Sequence, residues 1–152
     1  MLFKQVAQGD ERGFMTAKNS SGTSITLGYG VALAISGAVS WDGTQAVLSN
    51  SATTSNLPGF LGIATATIPN TSYGLIQIYG NIASVLVSNM GTSITLTAGD
   101  PLIPSTVSGA LFSATPTYAA SGFNWVLCSN PPTNTLSQAA PLYVSGFARC
   151  IK

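Results

Sequence analysis

The sequence predicts an all-β protein, a compact barrel or sandwich built from two quasi-repeated units, and three observations carry that expectation. The run from Leu57 to Val87 is dense in β-branched and aromatic residues, is broken by turn residues, and holds no charge. Charged residues make up only 6% of the 152-residue chain, against roughly 25% in an ordinary soluble domain, so Ser, Thr, Asn, Gln and Gly supply the polar surface. Finally, the chain repeats itself: Gly22-Thr23-Ser24-Ile25-Thr26-Leu27 returns letter for letter as Gly91-Thr92-Ser93-Ile94-Thr95-Leu96. A β body with so little charge lacks the usual blunting of exposed strand edges. Assembly with other chains is the expected protection.

Taken in order, residues 1–21 read as an N-terminal arm. Leu2, Phe3, Val6, Phe14 and Met15 are scattered among polar and charged residues without a clean period. Apolar anchors in an otherwise solvated segment point to docking on a partner, with Phe3 and Phe14 as anchors and Lys4, Arg12 and the Asp10-Glu11 pair setting orientation. Gly22–Leu27 alternates as a strand, Gly28-Tyr29-Gly30 punctuates it, and Val31–Ser36 forms the next. Asp42-Gly43 is a hairpin-turn signal before the chain returns through Ala46–Ser49. Asn50–Pro58 is loop.

Phe60–Ile68 and Gly74–Tyr79 form a hairpin across Pro69–Tyr73. Ile82–Val87 follows Gly80-Asn81, a pair suited either to a two-residue turn or to a bulge in one bent strand. The domain then repeats, with units at 22–87 and 91–151. At the offset of the hexapeptide, Gly99, Leu102 and Ser105 match Gly30, Leu33 and Ser36. Later Ser108–Leu111 matches Ser36–Val39, Val126–Cys128 matches Val47–Ser49, and Gly146-Phe147-Ala148 matches Gly62-Ile63-Ala64. Two units with one apolar face each bury those faces together as a sandwich or close into a barrel. Residues 114–122 and 130–140 are the second unit's long loops.

Reactive chemistry is sparse. The chain has no histidine, which removes Ser-His and Cys-His arrangements and the commonest transition-metal ligand. Of the four carboxylates, Asp10 and Glu11 lie in the arm, and Asp42 and Asp100 each have a turn-forming explanation. No metal or cofactor is expected, and no enzyme. Five basic residues against four acidic ones, placed mostly at the two ends, leave no footprint for nucleic acid. The most apolar window, Gly28–Trp41, is 14 residues long, short of the ~20 that span a bilayer. Met1–Arg12 does not read as a secretory signal, so Cys128 and Cys150 read as reduced, buried side chains before they read as a single bridge. Trp41, Trp125, Tyr29, Tyr73, Tyr79, Tyr118, Tyr143 and Phe123 read as core or interface before they read as a sugar platform.

Ala98-Gly99-Asp100-Pro101-Leu102-Ile103-Pro104-Ser105, then Ser108-Gly109-Ala110, then Val144–Ala148, follow a glycine-aspartate, apolar, Ser/Thr-Gly, later Gly-x-Ala pattern. This resembles tailed-bacteriophage head decoration proteins, also called capsid cement or stabilisation proteins. Gly62-Ile63-Ala64 and Gly74–Gly80 resemble the central hairpin of that family. Val31 departs from it, standing where the pattern has an acidic residue after Gly30. The resemblance implies a small β-barrel-like (β-tulip-like) domain, commonly a homotrimer. It implies a place on the outer capsid surface of the virion, stabilising contacts between copies of the major capsid protein. The arm residues Leu2, Phe3, Lys4, Val6, Asp10, Glu11, Arg12 and Phe14 would make the capsid contact. The alternative from a different class is a fibre or adhesin-type module that binds a glycan through the loops at 114–122 and 130–140.

Overall fold

The computed structural model describes residues 11–34, 45–48, 59–88, 95–105, 109–113, 125–130 and 142–149. Nine strands run in chain order as β1 (Gly13–Asn19), β2 (Gly30–Leu33), β3 (Gln45–Leu48), β4 (Phe60–Ala64), β5 (Tyr73–Val87), β6 (Pro101–Pro104), β7 (Leu111–Ser113), β8 (Trp125–Asn130) and β9 (Leu142–Arg149). The protein is all-β, and no helix occurs among the described residues.

The fifteen-residue β5 organises the rest. Its first half takes β1 on one edge, pairing Phe14 with Gln77 through to Lys18 with Tyr73, and β4 on the other. Its second half takes β9, pairing Ile82 with Gly146 and Val87 with Leu142, and meets β7 at Val87 and Leu111. Following the neighbours round, β1-β3-β2-β4-β5 returns to β1, and β5-β7-β6-β8-β9 returns to β5. These are two closed five-stranded rings that share one strand. Closure leaves neither ring an unpaired edge.

Gly80 makes the sharing possible. It lies at φ +94°, and a side chain there would run into the Glu11 carbonyl. Only glycine holds that backbone conformation at little cost. Before it, alternation turns Gly74, Ile76 and Ile78 inward and leaves Tyr73 and Leu75 outside; beyond it Ile82, Val85 and Val87 face in. Of the two readings of Gly80-Asn81, the structure takes the single bent strand, with a further bulge between Ile82 and Val85.

The two rings are the two repeated units. In each, the first and third strands pair parallel and every other pairing is antiparallel. The turns before β2 and β6 carry the same bonds. Tyr29 N donates to Thr26 O at 3.1 Å and Asp100 N to Thr97 O at 3.1 Å; Gly28 N donates to Ala64 O at 2.9 Å and Gly99 N to Cys128 O at 2.7 Å. Gly28 therefore corresponds to Gly99, and the residue-by-residue matching expected from the hexapeptide is displaced by two positions. Leu27 is exposed where Leu96 is buried; it is Ile25 that stands in the first core where Leu96 stands in the second. Likewise Asp100 corresponds to Tyr29 rather than Val31, and Val126–Cys128 to Gly62–Ala64.

Each ring encloses its own core. The first holds Ala17, Ile25, Val31, Ala46, Ala64 and Ile76, and the second holds Val85, Leu96, Leu102, Leu111, Cys128 and Val144. Burying a side chain of this size contributes roughly 1.5–3 kcal/mol. Size is redistributed between them: the first has Gly74 and Ile76 where the second has Val144 and Gly146. A Cβ on Gly74 would run into Ile68, and one on Gly146 would lie 2.6 Å from Val126 Cγ1.

The N-terminal boundary is corrected. Residues 13–19, expected as part of an arm ending at residue 21, form β1 and close the first ring. Asn19 is the fully buried end of that strand. Its amide donates to Thr23 O at 2.7 Å and Ile68 O at 2.9 Å, and its Oδ1 accepts from Ser21 N at 2.9 Å and Ser21 Oγ at 2.7 Å. The strand expected at Gly22–Leu27 is reduced to one bridge between Ile25 and Ile68, because three bonds tie Thr23 back to Asn19 and Ser21 and hold the start of this stretch in a turn. Phe60–Ile68 likewise ends its strand at Ala64. The Asp42-Gly43 turn and the loop at 114–122 lie outside the described residues, as does the loop at 130–140 except for Asn130, which ends β8.

Candidate interaction surface

Where β5 crosses from one ring to the other, the outer faces of the two barrels meet in a concave seam of about 420 Å³. Phe14 from β1, Leu27 from the first turn, and Leu75 and Ile82 from β5 supply its apolar lining, with Arg12, Thr65 and Asn81 among the polar residues around it. Phe14, Leu75, Asn81 and Ile82 stand in strands, whereas Leu27 lies in the turn before β2, Thr65 directly after β4 and Arg12 directly before β1. Leu75 faces out because Gly74 and Ile76 face in, whereas Ile82, just past the bend, borders the seam with its side chain turned into the second core. Leu27 is 44% exposed and Leu75 51% exposed, both large apolar side chains at the surface.

Gln77 is buried below the seam, where its amide donates to Tyr79 O at 3.1 Å and Asn81 O at 2.8 Å. Those bonds span Gly80 and fasten the bend. Behind it, Tyr79 and Phe147 stack edge to face with ring centroids 5.4 Å apart. The seam is thus a rigid trough, and it offers a partner shape and apolar area. Across the described residues no three of His, Cys, Asp and Glu gather as metal ligands.

Of the expected docking residues, Leu2, Phe3, Lys4, Val6 and Asp10 lie outside the described residues. Glu11 and Arg12 are exposed and cross the bend of β5 beside Gly80; Phe14 is half-buried in β1. The structure brings Arg12 and Phe14 together in the seam. Sequence reasoning missed Leu27 and Leu75. The alternation of Gly74, Ile76 and Ile78 was the available signal for Leu75; Leu27 stands in the stretch expected as a strand, which does not form.

Two further exposed aromatics lie on corresponding strands. Tyr73 is 60% and Tyr143 48% exposed, and they pair with Lys18 and Leu86 at matching places in the two rings. The Lys18 ammonium lies 5.9 Å from the centre of the Tyr73 ring, within cation–π range. Asp100 is occupied locally, its carboxylate accepting from Thr97 N at 2.8 Å and Thr97 Oγ1 at 3.1 Å. Cys128 is buried in the second core, and Cys150 lies outside the described residues.

No protein-family model matches the chain, and no curated protein matches it.

Proposed function

We propose that this chain is a structural, non-enzymatic virion protein that binds the outside of a phage capsid. There it stabilises contacts between copies of the major capsid protein, as a homotrimer. The observation that supports this most is the seam: a rigid, partly apolar trough at the place where the N-terminal segment joins the barrels, on a body with little charge. A clamp needs area and shape rather than reactive groups. Specific interfaces of ~1,600 Å² are no more apolar than ordinary surface and use about ten hydrogen bonds, which Ser- and Thr-rich strands can provide. The resemblance of Ala98–Ser105, Ser108–Ala110 and Val144–Ala148 to capsid decoration proteins gives the partner.

The test is co-sedimentation with empty shells of the major capsid protein encoded in the same genome. Saturation at a fixed ratio of this chain to capsid protein is expected, with weaker binding by a chain that begins at Glu11. Absence from the shells at saturating concentration overturns the reading. Full decoration by the shortened chain removes the role assigned to residues 1–10. Selective retention on a glycan array without shell binding would move the assignment to an adhesin-type module.

A further inference from the structure

The chain enters the described structure at the rim of the seam. Glu11, the first described residue, packs its carbonyl oxygen against Gly80, and Arg12 lines the seam itself. β1 runs antiparallel to β5 from the pairing of Gly13 with Tyr79, so the polypeptide ahead of Gly13 is directed past the bend toward Asn81, Ala83 and Ser84. All three are seam residues. Below them the seam holds a polar atom without a partner. Gln77 is 4% exposed, and both hydrogens of its amide are spent on Tyr79 O and Asn81 O. Two carbonyls on the nitrogen fix which way the amide points. Its Oε1 accepts no hydrogen bond from any described residue. A buried acceptor left without a donor is costly, so an occupant that fills this seam gains by bringing an N–H to it.

We propose that residues 2–6 of the same chain fold back into the seam, with Leu2, Phe3 and Val6 covering Phe14, Leu27 and Leu75 and a main-chain N–H donating to Gln77 Oε1. Covalent continuity selects this occupant. An extended chain covers ~3.3 Å per residue, so Val6 and Phe3 can reach roughly 17 and 26 Å from Glu11, ample for a seam of about 420 Å³. A short tether also holds the segment at an effective concentration on the order of millimolar, which no free partner has. The chemistry matches, since Lys4 is the only charged side chain before Asp10 and the seam asks for apolar area and one donor. Capsid contact by these same residues then requires the segment to leave its seat, which keeps the apolar anchors covered until a shell is met. The seat belongs to the free chain and does not depend on the capsid reading.

The experiment uses the full chain in solution, without shells, in a Cys150→Ser background; Cys128 is buried. Ala83→Cys places a thiol at an exposed position in the seam, and Ala98→Cys places one on the exposed turn before β6, which does not line it. Changing Leu2, Phe3 and Val6 together to Ser should speed maleimide labelling of Ala83→Cys by roughly threefold or more, as for a weak contact held by a short tether. Labelling of Ala98→Cys should not change. The protection should be the same at every protein concentration, because the segment and the seam belong to one chain. In the unsubstituted chain, nuclear Overhauser contacts should join the Phe3 ring or the Val6 methyls to the Leu75 methyls, a reading that needs no variant to fold. Equal labelling of Ala83→Cys with and without the three Ser substitutions overturns the proposal, as does the absence of those contacts. Protection that rises with protein concentration, which puts the segment in the seam of another copy, overturns it too.

Discussion

Replacing Asn19 by aspartate changes one amide into a carboxylate of nearly the same size and shape, so whatever it costs is hydrogen bonding and charge rather than packing. In the parent, the Asn19 amide supplies both hydrogens to Thr23 O and Ile68 O, at 2.7 and 2.9 Å, with the side chain 1% exposed. In Asn19→Asp those two carbonyls face a buried anion, and neither bond remains. Losing bonds so that buried groups are unmatched costs ~1–3 kcal/mol each, and a buried unpaired charge adds to it. A loss of about 3–5 kcal/mol is expected.

At ~2–4 °C per kcal/mol for a chain of this size, the melting temperature should fall by roughly 6–20 °C. Asn19→Ala should cost less, about 2–3 kcal/mol. Ile68 O still accepts from Ile25 N, and Thr23 O from Ser21 Oγ. Acidification should narrow the gap, because the carboxyl introduced by Asn19→Asp regains one donor once it is protonated. The assay is thermal and urea unfolding of the three proteins across pH. An aspartate variant as stable as the parent, or more stable than the alanine variant at neutral pH, would refute the assignment of Asn19 as the polar clasp of the first ring.

Further predictions concern the strands and turns. A chain beginning at Glu11 should fold with near-parental stability, whereas one beginning at Ser20 loses β1 and opens the first ring; amide exchange across Tyr73–Tyr79 reads the difference. Gly146→Ala should destabilise by ~1–3 kcal/mol through overpacking, since its Cβ would press on Val126 Cγ1 and Leu127 O. A shared melting curve with the parent would show that the second core has spare room. Gly28→Ala and Gly99→Ala both carry the strain of positive φ, roughly 1–2 kcal/mol, but only the first meets a ring, that of Tyr143. Gly28→Ala should therefore melt lower, and equal melting points in dilute solution would contradict the contact with Tyr143. Shell binding should change little between low and high salt, because few charges are available to be screened; a steep salt dependence would require an electrostatic clamp instead.

Much of the fold was legible. The runs around Gly80 read as strands because inward β-branched residues alternate with outward ones, and the absence of charge from Leu57 to Val87 matched a strand paired along both edges. The duplication was legible too, but its alignment was misread. The identical hexapeptide is a stronger match by eye than the true correspondence, which is set by glycines that must take positive φ in equivalent turns. β1 escaped because its pattern is spoiled at two places: Asn19 is polar yet buried, and Lys18 is charged yet half-buried against Tyr73. Neither ring could be read from local pattern, since each is closed by a pairing between strands far apart in the chain. The seam followed from that closure and was hidden for the same reason, apart from Arg12 and Phe14.

Gly13 and Arg149 both pair with Tyr79, on opposite edges of β5. The first and last strands of the double barrel therefore begin and end two strand spacings apart, roughly 10 Å. That separation is within reach of a linker of a few residues. The polypeptide is in effect a loop with a nick at the waist. A permuted double barrel, with Arg149 joined to Gly13 by such a linker and new ends opened elsewhere, should still fold, and peptides attached directly at Gly13 and Arg149 would emerge side by side at that waist.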